Sequence, residues 1–202
     1  ELICVNDGST DGTLSILERY ASSHDNVRII SFTSNFGQSS AFDAGFKAAQ
    51  GEFVLTLDAD GQNDPHDIPK LVEAVEGADL VCGWRVDRKD TFFKNIISRC
   101  SNLIRGALCH DWCHDTGCSL KIYRTKCLQK ITLYHGMHRF LPALFLIHDF
   151  IVTAVPVHHR PRTKGTSKYS IFNRSLAPIM DMFAVMWMRR RHLRYIIKKE
   201  QS

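Results

Sequence analysis

The chain has 202 residues, 44% of them hydrophobic, which suits one large domain with a sizeable core. Its net charge is +5, but basic residues crowd the last turns while acidic residues concentrate around 7–11 and 58–67. This asymmetry predicts an acidic pocket for a metal ion and a basic end that meets something anionic. Nucleic acid is excluded as a partner, because the basic end lacks interleaved aromatic residues for base stacking. The seven cysteines are an odd number without the spacing of a small secreted scaffold, which predicts reduced thiols.

The first part of the chain alternates short apolar segments with helical patterns. Strands are predicted where apolar residues cluster, at 2–5, 27–32, 52–57 and 80–82. Helices are predicted between them, at 13–23, after Gly37 and at 65–76, the last with Ile68, Leu71, Val72 and Val75 as its buried stripe. The order β-α-β-α-β-α-β predicts an α/β fold with a mostly parallel sheet and helices on both faces.

Two early turns offer candidate ligand contacts. The turn 6–13 presents Asp7 near the start of the first helix, and Gly37 lets the second helix begin close to the sheet or to a ligand. A well-capped helix start, with Asp11 or Thr13 as the cap, explains the first turn as well. Neither turn is a P-loop or a dinucleotide fingerprint, because the Gly-Lys-Ser/Thr sequence and the glycine spacing are missing.

The third predicted strand ends in two carboxylates, Asp58 and Asp60, followed by Gln62. Residues i and i+2 of an extended chain point the same way, so the two carboxylates converge on one point. They repel each other unless a positive charge lies between them, which predicts a divalent cation with hard oxygen ligands, together with a phosphate. A plain acidic turn after a core strand is the alternative.

The middle of the chain carries basic and thiol-rich segments. A polar, basic loop with Arg85 follows the strand at 80–82. The segment 92–108, with Arg105 among its basic residues, is typical of a basic amphipathic helix on a core or at a membrane surface. The segment 109–118 has cysteine and histidine pairs four residues apart, but no second motif closes a tetrahedral zinc site, so buried thiols are favoured.

Further strands and helices are predicted after these segments, namely a strand at 120–123, a helix at 125–131, a helix opening at His138 and an edge strand at 150–157. Arg139 is either a phosphate contact or a surface residue. The basic segment 158–168 is a candidate lid, with a solvated loop as the alternative.

The last apolar segment, 176–188, spans 13 residues and contains Asp181. A helix needs about 20 apolar residues to cross a bilayer, so this segment is too short. With the basic residues of 189–199 after it, it predicts an interfacial helix suited to anionic headgroups. A helix packed on the domain is the alternative.

Five motifs in order carry a resemblance to a known family: VNDGSTDGT (5–13), NFGQSSAFDAGFKAAQGEFVLTLDADGQNDP (35–65), GWR (83–85), DTGCSLKIYR (115–124) and RTKGTSKY (162–169). The chain resembles family 2 glycosyltransferases of the GT-A fold, and within them the dolichol-phosphate or undecaprenyl-phosphate sugar transferases. The resemblance implies a catalytic domain at 1–170 and a separate basic amphipathic helix at 171–202.

The resemblance implies a role for each matched residue on the donor side. Asp7 matches the aspartate that contacts base and ribose. Asp58 and Asp60 match the pair that holds Mg²⁺ or Mn²⁺ on the nucleotide-sugar diphosphate, with Asp60 catalytic, and Gln62 supports the metal. Gly37 is placed with the donor contacts.

On the acceptor side, Asp115, in the segment 115–124, matches the acceptor-side aspartate of the family, and Arg162 and Lys168 match a basic segment near the phosphates. Arg85 and Arg139 are expected to contact phosphate, so that basic residues screen the repulsion between donor and acceptor. The implied reaction is an inverting transfer from a UDP- or GDP-sugar to a polyprenyl phosphate. It would take place on the cytoplasmic side of a membrane to which this chain binds peripherally.

Two departures and two alternatives accompany the resemblance. Asn6 stands where many relatives carry an aspartate. The family's first strand lies upstream of Glu1, so the chain is expected to be a fragment. One alternative is a soluble transferase that acts on a sugar hydroxyl, with Asp115 as general base. The other is a non-catalytic nucleotide-sugar-binding module, and the oligomeric state, including a homo-oligomer, is left open.

Overall fold

The computed structural model describes residues 1–86, 103–111, 113–160, 176–195 and 198. Its strands within these residues are β1 (Leu2–Asn6), β2 (Val27–Ser31), β3 (Phe53–Thr56), β4 (Leu80–Arg85), β5 (Lys121–Arg124) and β6 (Val152–Val157). Its α-helices are α1 (Thr13–Ala21), α2 (Gln38–Ala48), α3 (Ile68–Ala74), α4 (103–109), α5 (Thr125–Leu128), α6 (Leu141–Ile147) and α7 (Leu176–Arg191). Short 3-10 turns occur at Pro65–Asp67, Val75–Gly77 and Met137–Phe140. The order of elements follows the prediction, although β4 runs three residues further than expected, through Arg85.

The described strands form two hydrogen-bonded sheets. One consists of β1 and β2 in parallel, and the other has the order β3-β5-β4-β6. β6 lies at the sheet edge, as predicted, and pairs with β4 in parallel, whereas β5 is antiparallel to both β3 and β4. The mostly parallel α/β fold is therefore confirmed, with one antiparallel insertion. Because Thr56 at the end of β3 lies opposite Lys121 at the start of β5, residues just after β3 meet residues just before β5.

Helices cover both faces of the larger sheet, as predicted. On one face, Val81 and Ile122 pack with Leu71 of α3. On the other face, Leu80 and Tyr123 and their neighbours pack with α5 and α6. Successive residues of β4 thus alternate between two cores, as the pleat of a strand requires. This double burial holds the carboxyl ends of β3 and β4 firmly in place.

Two predictions about individual side chains are wrong. Val72 is 49% exposed, because α3 has only seven residues and its inward turn is filled by Leu71 and Val75. An amphipathic helix at 92–108 would bury its apolar residues, but Arg105 is the buried residue, at 6% exposed and in an ion pair, while Leu103 and its neighbour are exposed. The other residues of the predicted helix at 92–102 lie outside the described residues.

The helix α7 packs on the body of the molecule through one face only. Val185 is fully buried in a cluster with Phe140 and Leu144. The opposite face leaves large apolar side chains exposed, namely Ile179, Met180, Phe183 and Trp187. Within the residues that the structure describes, none of the helices has both the length and the apolar character that a membrane span needs.

Candidate active site

The two predicted metal-binding carboxylates lie in the corner that follows β3. Asp58 and Asp60 are both half-buried. The Asp58 Oδ1 atom accepts a hydrogen bond of 3.2 Å from the side chain of Gln38, in the first turn of α2. The Asp60 Oδ1 atom accepts the backbone N–H of Gln62 at 3.0 Å, across Gly61, whose φ of 75° favours glycine. We call Asp58–Gln62 the carboxylate corner.

Ser119 connects the carboxylate corner to the segment before β5. Its Oγ accepts the backbone N–H of Asp58 at 3.1 Å and the side-chain amide of Asn63 at 2.8 Å. Its carbonyl accepts the hydroxyl of Thr56 at 2.7 Å. Ser119 is buried and was not predicted as a site residue, because its role arises from the antiparallel pairing of β5 with β3. The second and fourth of the five motifs thus form one hydrogen-bonded unit.

Asp7 and Gly37 lie together, at the start of α2. The Asp7 carboxylate accepts the backbone N–H of Phe36 at 2.7 Å and that of Gly37 at 3.0 Å, and the side chain of Asn35 at 2.9 Å. Gly37 has φ 88°, a backbone conformation that residues other than glycine rarely adopt. Asp7 therefore holds the turn whose next residue, Gln38, reaches Asp58, and its predicted contact with base and ribose stays a prediction.

Arg85 and Asp115 form a bidentate ion pair at the carboxyl end of β4. The guanidinium Nε donates to Asp115 Oδ2 at 2.6 Å and Nη2 donates to Oδ1 at 2.9 Å. The side chains are 17% and 9% exposed, so the pair lies at the rim of the core. We call it the outer pair. Each residue was predicted separately, but their pairing across 30 positions was not.

A second ion pair lies deeper, at the other end of the segment 111–115, which we call the loop. Arg105 donates to Asp111 Oδ2 at 2.5 Å and to the carbonyl of Cys113 at 2.6 Å, and Asp111 accepts the N–H of Cys113 at 2.8 Å. Burial raises the pKa of the Asp111 carboxyl, and the Arg105 guanidinium opposes that shift. We call Arg105–Asp111 the inner pair. Beside it, the buried Lys121 donates to the carbonyls of Thr116 and Cys118.

Arg139 lies in the 3-10 turn Met137–Phe140, which packs against the first turn of α2. The adjacent His138 bonds to the Ser39 hydroxyl at 2.7 Å, and that hydroxyl accepts the N–H of Gly136 at 2.9 Å. Burial, with a smaller contribution from Arg139, lowers the pKa of His138 from 6.5 to about 4. The turn thus borders the site, and the phosphate contact of Arg139 stays a prediction. Arg162 and Lys168 lie outside the described residues.

The residues present fit a hard divalent cation. Asp58, Asp60 and Gln62 provide two carboxylates and a carboxamide on one turn, which are oxygen ligands of the type that Mg²⁺ and Mn²⁺ prefer. No cluster of three or more His, Cys, Asp or Glu side chains suited to a metal occurs in the part of the chain that is described. The coordination shell would therefore be completed by Gln62, water or the phosphates of a ligand.

The sequence comparisons place these motifs in a family. The sequence model for glycosyl transferase family 2 matches residues 1–132. The chain is 41% identical over 196 residues to the dodecaprenyl-phosphate galacturonate synthase of Rhizobium johnstonii, covering 94% of this chain and 58% of that protein. It is 37% identical over 173 residues to an undecaprenyl-phosphate 4-deoxy-4-formamido-L-arabinose transferase of Yersinia pestis, covering 85% and 53%. The chain thus spans little more than half the length of these curated relatives.

The fold is also similar to solved structures. One is glucosyl-3-phosphoglycerate synthase from Mycobacterium tuberculosis, in complex with Mn²⁺, UDP-glucose and phosphoglyceric acid. The TM-score is 0.65 at 19% identity, and the match covers 94% of this chain and 68% of that one. At this identity the likeness shows the fold alone, which confirms the expected GT-A architecture.

Proposed function

The chain belongs to glycosyl transferase family 2, and from that membership we propose that it transfers a sugar from a UDP- or GDP-sugar to a polyprenyl phosphate. The relatives described above are named for a dodecaprenyl-phosphate or undecaprenyl-phosphate substrate. Identities of 41% and 37% over most of this chain support the same class of acceptor here.

One observation carries the proposal: Ser119 joins the donor-side corner to the acceptor-side motif. Its hydroxyl fixes the backbone of Asp58, and it lies four residues after Asp115 in the segment that leads into β5. A transferase must hold two substrates at one reacting centre, and precise positioning can supply much of the rate enhancement. A direct hydrogen bond between the two motifs provides this rigidity.

A divalent cation bound by Asp58, Asp60 and Gln62 would supply positive charge to the leaving nucleoside diphosphate. The donor set supports this role, and a structural neighbour was solved with Mn²⁺ and a UDP-sugar. Gln38 holds Asp58 from α2, and the Asp60 turn is closed by the Gln62 N–H, so the corner is shaped before any ligand enters.

The acceptor in this proposal needs no general base. A phosphate monoester has a second pKa of about 6, so its oxygen is already anionic near neutral pH. Asp115 is poorly suited to accept a proton, because both of its oxygens already accept hydrogen bonds from the Arg85 guanidinium. A single displacement at the anomeric carbon inverts its configuration. The soluble transferase that acts on a sugar hydroxyl is disfavoured on the same ground, since it would require Asp115 as base.

We assign the membrane contact to the exposed face of α7. Ile179, Met180, Phe183 and Trp187 present apolar area. A groove of about 530 Å³ at the carboxyl end of α7 is lined by Arg189, Arg190 and Arg194, with His110, His192 and apolar residues between them. Cationic residues near an anionic leaflet contribute about 1 kcal/mol each, and exposed aromatic and aliphatic side chains add to that. The cytoplasmic leaflet carries anionic lipids, which supports a peripheral contact on that side.

The transfer is tested with the purified full-length protein, labelled UDP- and GDP-sugars, Mn²⁺ and a polyprenyl phosphate. A thermal-shift screen of the same donors first identifies the nucleotide, because ligand binding raises the apparent stability of the native state. We expect the label to move into organic solvent. Label that appears only in a water-soluble glycan would favour the hydroxyl acceptor, and a donor that binds without turnover would favour the non-catalytic module.

The metal is tested in the same assay with Asp60→Ala. We expect at least a roughly thousandfold loss of transfer, since metal stabilisation of a developing charge is worth several kcal/mol. Asp25→Ala, which removes an exposed carboxylate near the end of α1, is the matched control and should transfer normally. Near-normal turnover of Asp60→Ala with added Mn²⁺ would refute the metal assignment.

A further inference from the structure

The residues after β6 return to the carboxylate corner and are fastened to it. The backbone of His159 forms an isolated bridge with Asn63, and the N–H of Arg160 donates to the Gln62 carbonyl at 2.9 Å. The Arg160 guanidinium lies 2.7 Å from Asp64. On the other side, the N–H of His158 donates to the buried Asp67 at 2.6 Å. Three consecutive residues thus brace the turn that carries Asp60 and Gln62.

The side chain of His159 meets the side chain of Gln62 within this brace. The two Nε2 atoms lie 3.3 Å apart. An amide nitrogen can only donate, so the imidazole Nε2 accepts from it. The oxygen and the nitrogen of a carboxamide are held in one plane on the same carbon, so fixing the direction of the nitrogen also fixes the direction of the oxygen.

We propose that His159 is a positioning residue for the metal ligand Gln62, an inference that rests on the proposed metal site. A carboxamide ligates Mg²⁺ or Mn²⁺ through its oxygen, and a flipped amide would present N–H groups to the cation instead. By accepting from the amide nitrogen, His159 selects the orientation that leaves the oxygen as the ligand. The neighbouring His158 serves a different partner, since its ring contacts Asp67 at 3.0 Å.

The expected effect follows from the role of groups that orient a metal ligand. Loss of such a partner typically weakens metal affinity by about 10- to 100-fold. His159→Leu should therefore raise the Kd for Mn²⁺ by about that factor. His159→Gln should restore most of the affinity, because its side-chain oxygen can reach the position of the imidazole Nε2 and accept the same hydrogen bond.

The test is a Mn²⁺ titration of the purified full-length protein, followed by electron paramagnetic resonance of the free ion. Binding at the proposed site is the part of the total Mn²⁺ binding that is lost in Asp58→Asn. The variants are His159→Leu, His159→Gln, Gln62→Ala and the double variant His159→Leu with Gln62→Ala. His158→Leu is the matched control, because it removes an adjacent imidazole that contacts Asp67. Thermal unfolding without metal checks that each variant is folded.

The double variant shows whether His159 acts through Gln62. If it does, adding His159→Leu to Gln62→Ala causes no further loss of Mn²⁺ affinity, since the effects of coupled residues are not additive. An equal loss in both backgrounds, failure of His159→Gln to restore affinity, or an equal loss in His158→Leu would overturn the positioning role. Wild-type affinity in His159→Leu, with Gln62→Ala weakened, would overturn it while the metal site stands. If the wild-type protein shows no binding that Asp58→Asn removes, the metal site itself falls, and the inference with it.

Discussion

The inner and outer ion pairs hold the same loop from opposite ends and differ in depth. Arg105 and Asp111 have side chains that are 8% and 1% exposed, whereas Arg85 and Asp115 are 17% and 9% exposed. The inner pair also forms hydrogen bonds with the N–H and the carbonyl of Cys113, so it stabilises the loop directly. The outer pair stands at the carboxyl end of β4, where ligands bind in open α/β sheets. The difference teaches that the same chemical pairing is buried within the fold at one end of the loop and, at the other, lies at the rim where we propose the substrate site.

The largest expected effect is on the free energy of unfolding, which should distinguish the inner pair from the outer pair. Asp111→Ala leaves the Arg105 charge buried without its carboxylate and should lower the free energy of unfolding by about 3–5 kcal/mol. Asp115→Ala, the matched control, should cost less, because its partner Arg85 lies at the rim and can reach water. Urea denaturation at pH 7.5 measures both. Equal losses, or a larger loss for Asp115→Ala, would contradict the assignment of the inner pair to the fold.

The next largest effect is a loss of stability in acid, and it determines the pH range in which the inner and outer pairs can be compared. Because burial holds the pKa of His138 at about 4, below its value of 6.5 in the unfolded chain, the unfolded state binds the extra proton first. Stability is therefore fully present above about pH 6.5 and should fall by roughly 2–3 kcal/mol as the pH drops towards 4. His138→Asn, which can still accept from Ser39, should lose less stability over this range. A profile as steep as that of the wild type would assign the acid sensitivity to other groups.

These regions also show how far the sequence could predict the molecule. The α/β order and the position of Asp58 and Asp60 after β3 followed from patterns that are local in the chain, whereas Arg85 and Asp115 were singled out separately through the family resemblance. Ser119 and Lys121 did not, because their contacts depend on the antiparallel entry of β5. The burial of Arg105 was not predicted, since an amphipathic pattern shows charge but does not reveal a partner such as Asp111 beyond the helix end.

A smaller effect tests the catalytic side of the comparison. Asp115→Asn keeps the shape of the outer pair but removes the carboxylate charge. With a polyprenyl phosphate acceptor, kcat should fall by no more than about tenfold, because the acceptor oxygen needs no base. A near-total loss in the partition assay would contradict this expectation and make the Asp115 carboxylate essential for the transfer. A normal unfolding midpoint for this variant is the control that separates lost chemistry from lost folding.

The smallest expected effect is a change in the alkylation rate of Cys113. It shows whether the inner pair or the outer pair keeps the loop closed. Cys113 lies inside that loop, and a hydrogen bond with the Cys82 thiol lowers the pKa of Cys113, while the same contact and burial raise that of Cys82. Cys113 is half-buried whereas Cys82 is buried, so Cys113 is the thiol that becomes accessible first when the loop opens. Asp111→Asn weakens the bonds to the Cys113 backbone and should speed its alkylation by iodoacetamide about tenfold, which corresponds to about 1.4 kcal/mol of easier opening. Asp115→Asn should change the rate by less than about twofold, since the inner pair still holds the loop shut. Peptide mass spectrometry resolves Cys113 from the other cysteines, and a faster reaction in Asp115→Asn than in Asp111→Asn would assign loop closure to the outer pair.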